Sequence, residues 1–194
     1  MKKTVLILSI LSTMIGVYAC KTGSEEPQRN FAIDNIMDRR SVREFTTEPI
    51  SADTLDILVR AAMAAPTGLD KRPWEFIVLD NSADVYKFYE ATGNDRFKTA
   101  PAAVIICGNT QESSLWYIDC ACAAENLLLA SHSMGLGSVF TAAFPVEERM
   151  KSISDFFSLP ENIVPLCAIP VGHPLLDTHP KNKYTPNKIH TNKW

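Results

Sequence analysis

The stretch Arg39-Arg40-Ser41-Val42-Arg43-Glu44-Phe45 carries three guanidinium groups and a hydroxyl in its first five residues. Arginine presents a planar fork of donors that matches phosphate oxygens, and serine adds a further donor. The stretch therefore predicts a phosphate-binding site. An alternative is a solvated basic helix end, where arginine only complements the helix dipole. Residues further along the chain have to distinguish the two.

The first 30 residues have the composition of an export signal followed by a polar tether. Met1-Lys2-Lys3 is a charged start, residues 4–16 are apolar, and a small residue stands directly before Cys20. This layout is typical of a secretory signal peptide, and its end resembles a bacterial lipobox. We predict a signal peptide over 1–19, lipid attachment at Cys20 and a tether over 20–30. The alternatives are an uncleaved anchor or an ordinary signal peptide.

This prediction places the protein outside the cytoplasm, anchored to a bacterial membrane through lipid alone. The apolar run is shorter than the ~20 residues that a membrane-spanning helix needs. Residues 31–194 then form one domain, long enough to bury a core of its own. If the signal prediction is wrong, the protein is cytoplasmic.

The charge of the mature chain argues against a nucleic-acid partner. Cleavage would remove two lysines from the 19 basic residues, leaving 17 against 22 acidic residues and a net charge of −5. Broad nucleic-acid binding needs a positive face, which this balance does not favour.

The cysteines and histidines predict no metal site. Cys107 and Cys167 lie in apolar runs and are expected to be buried. Cys120 and Cys122 are two apart in a helical pattern, so their side chains diverge and form neither a disulfide nor a metal pair. The four histidines show no mutual i, i+4 spacing.

Hydrophobic periodicity, caps and breakers predict five helices and four strands. Pro165 and Pro170 favour an edge position or a bulge for the last strand, because proline cannot donate to a sheet. The pattern predicts helices at 31–40, 51–65, 83–91, 113–134 and 146–157, and strands at 74–79, 102–107, 137–143 and 164–171. This order indicates an α/β or α+β fold.

Two segments suggest a partner subunit. The helix at 113–134 is almost wholly apolar, so it belongs in the core or in a subunit interface. After Asp177 the chain has no acidic residue and no core pattern, and this basic arm must pack on something else. The chain has no G-x-G-x-x-G after a strand, no phosphate-binding P-loop and no nucleophile elbow.

Residues 31–194 resemble the nitroreductase family of FMN-dependent oxidoreductases. Besides the arginine stretch, the matching motifs are Ala65-Pro66-Thr67-Gly68-Leu69-Asp70-Lys71-Arg72-Pro73-Trp74-Glu75-Phe76, Gly135-Leu136-Gly137-Ser138, Ile169-Pro170-Val171-Gly172-His173-Pro174 and Lys181-Asn182-Lys183. The resemblance implies an α+β nitroreductase-like fold: a central, mostly antiparallel sheet flanked by helices, with a domain-swapped C-terminal arm. It also implies a homodimer with two FMN sites, each lined by both subunits.

The resemblance implies a role for each matching residue. The FMN phosphate would be held by the arginine stretch and by two lysines of the arm, and the ring and ribityl chain by the loop at 66–73. The backbone at 140–142 would approach the flavin, with one amide facing its N5 atom. The residues implied are Arg39, Arg40, Ser41, Arg43, Pro66, Thr67, Gly68, Asp70, Arg72, Phe140, Thr141, Ala142, Lys181 and Lys183.

Asp70 and Arg72 depart from the family, in which many relatives carry Asn and Gln at these positions. A carboxylate kept ionised by a nearby arginine could tune the flavin or select a substrate. The alternative is a structural ion pair inside the loop.

The implied reaction is hydride transfer from a reduced nicotinamide through flavin N5 to a small aromatic acceptor, such as a nitroaromatic or a quinone. No side chain need act as a nucleophile or base, since the cofactor carries the chemistry. Export complicates the donor, because NAD(P)H is not expected outside the cytoplasm. Either another donor serves or the anchor prediction is wrong. Two alternatives remain: a non-catalytic FMN-binding or carrier lipoprotein, and a different flavin reaction, dehalogenation or dehydrogenation.

Overall fold

The structure, a computed structural model, describes residues 30–194. The predicted signal peptide, Cys20 and most of the tether lie outside the described residues. The helices are α1 (Phe31–Asp38), α2 (Ala52–Met63), α3 (Ser82–Thr92), α4 (Trp116–Ser133) and α5 (Glu147–Phe157). The strands are β1 (Trp74–Leu79), β2 (Ala102–Asn109), β3 (Gly137–Ser138), β4 (Thr141–Ala142) and β5 (Ile163–Gly172).

Local signals explain where the helices start and stop. The Asn30 side chain accepts hydrogen bonds from the first turn of α1, and the Ser51 side chain caps α2 through the amide of Thr54. Gly93 ends α3 in the left-handed conformation that glycine adopts without strain. The predicted helices are confirmed, with boundaries shifted by one to three residues, as end fraying and capping usually cause.

The five strands form one antiparallel sheet in the order β1-β2-β5-β3, and β4 also pairs with β5. Helices cover both faces. One core cluster lies between the sheet and α2 and α4, and the other lies between the sheet and α3 and α5. The predicted α+β architecture, an antiparallel sheet flanked by helices, is confirmed. Within residues 30–194, no helix is both long enough and apolar enough to cross a lipid bilayer.

The predicted edge position of the last strand is wrong, whereas the predicted bulge is confirmed. β5 lies inside the sheet, between β2 on one side and β3 and β4 on the other. The register slips where Ile106 and Cys107 oppose Cys167 and Pro165, which leaves Leu166 as an extra residue. On the other side of β5, the ladders with β3 and β4 pair residues 167, 168, 171 and 172. Pro165 and Pro170 are therefore not paired with β3 or β4, so their missing N–H groups interrupt neither of these two ladders.

The single strand predicted at 137–143 is also wrong, because the chain forms two short strands there. β3 and β4 are separated by Val139 and Phe140, which leave the ladder. This break turns the backbone at the positions that the resemblance assigned to the flavin.

Three of the four described cysteines are buried in the core, as expected for Cys107 and Cys167. Burial raises the pKa of the Cys107 and Cys120 thiols to about 12 and that of Cys167 well above its usual range. Only Cys122 is partly exposed. The thiolate is the reactive form of cysteine, so the buried thiols of Cys107, Cys120 and Cys167 are inert in the native fold.

We expect iodoacetamide at mildly alkaline pH to alkylate Cys122 alone among these four cysteines of the folded protein. Peptide mass mapping would identify the modified residue, and the denatured protein, in which all four should react, is the control. Modification of Cys107 as fast as that of Cys122 would contradict the burial argument.

Candidate functional site

The arginine stretch is held in place by β3 and by the start of the C-terminal arm. The amide of Val42 donates to the carbonyl of Ser138 at 3.0 Å, and the amide of Thr46 donates to the carbonyl of His173 at 2.9 Å. Val42 and Phe45 are buried in the core. Next to this anchor, Arg43 is exposed and Ser41 is partly buried.

Gly137 makes this docking possible. A Cβ atom at Gly137 would lie 2.6 Å from Cγ1 of Val42, closer than real contacts allow. The second glycine of the Gly-Leu-Gly-Ser motif, Gly137, thus leaves room for the segment that carries Ser41 and Arg43.

The three arginines have different surroundings. Nε of Arg39 donates to Oε1 of Glu125 at 3.1 Å, and Nη2 of Arg40 donates to Oδ1 of Asp177 at 3.2 Å. Nη1 of Arg43 donates only to the carbonyl of Ser41, at 3.4 Å. Within residues 30–194, Arg43 therefore makes no ion pair, and its charge is available to a ligand.

The positive field of this cluster extends to the end of α4. Burial, and after it the charges of Arg40 and Arg39, lower the pKa of His132, although Asp38 acts in the opposite direction. The positive charges of Arg39 and Arg40 repel a protonated imidazole, and the same charges would attract a bound anion.

A cavity of about 570 Å³ lies between the arginine stretch, β4, α5 and the turn after α3. Its volume is within the usual range for small-molecule sites. Arg43, Thr141 and Ala142, which the resemblance implied, line it together. The other lining residues are Glu44, Phe88, Thr92, Gly93, Asn94, Asp95, Arg96, Phe97, Arg149, Ser152, Ile153 and Ala168.

Arg43, Arg96 and Arg149 converge on this cavity from separate parts of the chain. None of the three forms an ion pair within the described part of the chain: Arg96 donates to the side chain of Asn94, and Arg149 to a backbone carbonyl. Their charges outnumber those of Glu44 and Asp95, which also line the cavity. The Thr141 hydroxyl is buried and has no hydrogen-bond partner in residues 30–194. This lining suits an anionic, hydrogen-bonding ligand.

The loop at 66–73 is a strained, exposed turn. Leu69, Asp70 and Arg72 have φ angles of 55°, 55° and 49°, in the left-handed region that residues other than glycine rarely adopt. Nε of Arg72 donates to Oδ1 of Asp70 at 2.7 Å, and a second bond joins Nη2 to Oδ2. Asp70 and Arg72 thus form an ion pair inside the loop, a contact that both alternatives for these two residues contain. The hydrogen bond from Arg72 lowers the pKa of the Asp70 carboxyl.

Asp119, in the first turn of α4, anchors this loop. Its Oδ1 atom accepts a hydrogen bond from the amide of Gly68 at 3.1 Å. The residue is only 4% exposed, and its Oδ2 atom has no partner in the described part of the chain. A carboxylate near a helix N-terminus is favoured by the helix dipole, which offsets part of the cost of burial.

Replacing Asp119 with Ala should free the loop. We expect a loss of about 1–2 kcal/mol in the free energy of unfolding and faster hydrogen exchange at the Gly68 amide, because its acceptor is removed. Asp119→Asn is the matched control, since it retains an acceptor oxygen. Protection of the Gly68 amide that is equal in wild type and Asp119→Ala would contradict the anchoring role.

The structure therefore separates the predicted residues into groups. Arg43, Thr141 and Ala142 share the cavity, whereas the loop at 66–73 and the two lysines do not line it. Lys181 and Lys183 are exposed on the arm, whose start is tied to the arginine stretch by the bond from the Leu175 amide to the Glu44 carbonyl. The other predicted residues, Arg39, Arg40, Ser41 and Phe140, flank the cavity segments in sequence.

Sequence reasoning missed Arg96, Arg149 and Asp119. Arg149 did carry a signal, because a cation in the first turn of a helix opposes the dipole. Asp119 carried none, since an acidic residue in a first turn is ordinary. Arg96 stands in a polar turn, where charge is also ordinary.

The nitroreductase family profile matches residues 36–95 and 89–173. A protein of Methanothermobacter thermautotrophicus, provisionally named an NADH dehydrogenase/NAD(P)H nitroreductase, is 36% identical over 166 residues, covering 84% of this chain and 87% of its own length. An FMN reductase (NADPH) of Bacillus subtilis is 25% identical over 167 residues, covering 75% of this chain and 66% of its own length.

Solved structures agree in fold. A crystal structure from Bacteroides thetaiotaomicron, also provisionally named an NADH dehydrogenase/NAD(P)H nitroreductase, has a TM-score of 0.82 and 44% identity, covering 86% of this chain and 99% of the other. An FMN-dependent nitroreductase from Clostridium difficile has a TM-score of 0.78 and 26% identity, covering 84% and 99%. The similarities to these proteins agree with the order of the sequence motifs and with the antiparallel sheet that contains the separate strands β3 and β4. The chain belongs to the nitroreductase family.

Proposed function

We propose that this protein is an FMN-dependent oxidoreductase that takes reducing equivalents from a reduced nicotinamide. The proposal rests on the cavity lined by Arg43, Arg96 and Arg149, whose guanidinium groups form no ion pair with any of residues 30–194. Relatives named FMN reductase and NADPH nitroreductase support the cofactor and the donor.

The residues present fit FMN. The phosphate needs unpaired cations and hydroxyl donors, which Arg43 and Ser41 can supply with Arg39 and Arg40 beside them. The ring needs a slot with polar partners, which the cavity provides through Thr141 and the Ala142 backbone.

Bound FMN would supply the electron carrier between the reduced nicotinamide, which loses a hydride, and an oxidised acceptor, which takes up the two electrons. The protein's own residues would bind the phosphate, orient the ring and set the charge around it. We infer that nitroaromatics and quinones are acceptors, on the strength of the family and of relatives such as the oxygen-insensitive NADPH nitroreductase of Salmonella typhimurium.

We infer further that the active form is a homodimer. The loop at 66–73 and the lysines of the arm lie apart from the cavity within one chain, and a partner chain could supply them. Apolar side chains are exposed on α1 and on the arm, including Met37 at 69%, Leu176 at 60% and Trp194 at 98%. Exposed apolar surface of this kind is typical of an interface. Sedimentation equilibrium of the purified domain should give a dimer, and a monomer at micromolar concentration would contradict this proposal.

The absorption spectrum of the purified protein tests the cofactor. We expect a flavin band near-stoichiometric with the chain after addition of FMN and removal of excess by gel filtration. NADH or NADPH should then bleach the band, and a nitroaromatic or quinone should restore it. Absence of the band would refute the cofactor, whereas a band that no donor bleaches would favour a non-catalytic FMN-binding protein.

The membrane anchor is a separate proposal that rests on residues 1–20 of the sequence. Membrane fractionation with lipid labelling should place the native protein in the membrane and Cys20→Ala in the soluble fraction. Identical soluble behaviour of both would contradict the anchor. An exported protein, anchored or not, would need a donor other than NAD(P)H.

A further inference from the structure

Arg149 occupies a position that helix chemistry disfavours. It lies in the first turn of α5, after Glu147 and Glu148. Acidic side chains suit the positive end of the helix dipole, whereas a guanidinium group is repelled by it. Local conflicts of this kind often mark functional positions, where a side chain is retained for a reason other than stability.

The contacts of Arg149 indicate that reason. Its Nη1 atom donates to the carbonyl of Ala142 at 3.2 Å, so that α5 is tied to β4. The same side chain lines the cavity with Arg43 and Thr141. Within the described part of the chain no carboxylate pairs with it, whereas Lys151, two residues later on α5, is paired with Asp155. The neighbouring Glu147 and Glu148 do not line the cavity.

We propose that Arg149 is a positioning residue that holds the Ala142 peptide and adds a positive charge to the cavity, favouring the reduced form of the bound flavin. This inference rests on the proposed function. Two-electron reduction adds negative charge to the flavin ring, and a nearby cation stabilises the more negative form. The protein therefore binds reduced FMN more tightly than it would without Arg149, which raises the reduction potential.

The experiment compares four proteins loaded with FMN: wild type, Arg149→Met, Arg149→Lys and Lys151→Met. Arg149→Met removes the charge and the hydrogen bond while keeping a good helix former. Arg149→Lys keeps the charge but lacks the planar fork of donors. Lys151→Met removes an equal charge from the same helix, away from the cavity. The midpoint potential is measured by equilibrium reduction against a reference dye, and the Kd of oxidised FMN by titration.

We expect Arg149→Met to weaken the binding of reduced FMN relative to oxidised FMN about tenfold, as the loss of one nearby charge does. For a two-electron couple this corresponds to a potential lower by about 30 mV. Arg149→Lys should keep most of the wild-type potential, and Lys151→Met all of it.

An unchanged potential in FMN-loaded Arg149→Met would overturn the inference while leaving the proposed function intact. An equal fall in Lys151→Met would also overturn it, because the effect would then come from net charge alone. If wild type binds no FMN, the proposed function fails and this inference fails with it. Far-ultraviolet circular dichroism of each variant separates these outcomes from a loss of the fold.

Discussion

Replacing Arg43 with Ala is expected to weaken FMN binding about 10- to 150-fold. A charge-assisted hydrogen bond contributes roughly 1.5–3 kcal/mol, which corresponds to this range of dissociation constants. Arg43 should matter most in its stretch, because Arg39 and Arg40 are already paired with Glu125 and Asp177. A phosphate that binds Arg39 and Arg40 must displace Glu125 and Asp177, and the loss of these two ion pairs offsets part of the free energy of binding. Titration of flavin-free protein with FMN, followed by flavin fluorescence, measures the effect.

The matched control is Arg60→Ala. Arg60 is an exposed arginine of α2 that pairs with Asp56 and does not line the cavity. Its removal changes the net charge equally, so FMN should bind with wild-type affinity. Wild-type affinity in Arg43→Ala would contradict the phosphate-binding role, and an equal loss in both variants would show a nonspecific charge effect.

Replacing Gly137 with Ala should damage both stability and the cofactor site. The new Cβ would meet Val42 at 2.6 Å, and the backbone of β3 has little room to retreat because Gly137 pairs with Gly172 of β5. Overpacking of this kind costs about 1–3 kcal/mol of unfolding free energy. Because Val42 stands between Ser41 and Arg43, its displacement should also weaken FMN binding. Urea unfolding of the flavin-free protein and FMN titration give the two quantities.

A double-mutant cycle with Val42→Ala tests the cause. Val42→Ala alone opens a small cavity. In the presence of Gly137→Ala it removes Cγ1 and Cγ2 of Val42, which would lie 2.6 and 2.9 Å from the new Cβ, and leaves the Cβ of residue 42, at 2.7 Å. The double variant should therefore lose less stability than the sum of the two single losses, by about 0.5–3 kcal/mol, the usual range for residues in contact. Strict additivity would show that contact with these two methyl groups is not what the glycine prevents.

The two predictions depend differently on sequence and structure. The proposed role of Arg43 rests on the motif, because a run of arginines and a serine is a local chemical signal. The sequence could not show that Arg43, unlike Arg39 and Arg40, forms no ion pair within residues 30–194. The pairing of Arg39 and Arg40 with distant carboxylates depends on tertiary contacts. The reason for Gly137 was equally hidden, because Val42 is nearly a hundred positions away in the chain.

The errors in the predicted fold have the same origin. Two prolines indicated an edge strand or a bulge, because local sequence reveals only that their N–H groups are missing, and the bulge is what the structure has. The structure places this strand inside the sheet, where the short strands β3 and β4 leave it unpaired beside the prolines. Hydrophobic periodicity also predicted one strand over 137–143 in place of β3 and β4, because periodicity does not show where the pairing between strands is interrupted.

The sequence by itself determined the helices and an α/β or α+β fold, since periodicity and caps are properties of neighbouring residues. Its motifs resembled those of the family, and this resemblance implied the antiparallel sheet. The family resemblance implied that Arg43, Thr141 and Ala142 lie close together, and these three residues line one cavity. Only the tertiary structure decided which arginines keep a free charge, that Arg96 and Arg149 join Arg43, and that Asp119 holds the loop. Charge pairing and burial depend on distances between remote segments, and folding alone sets those distances.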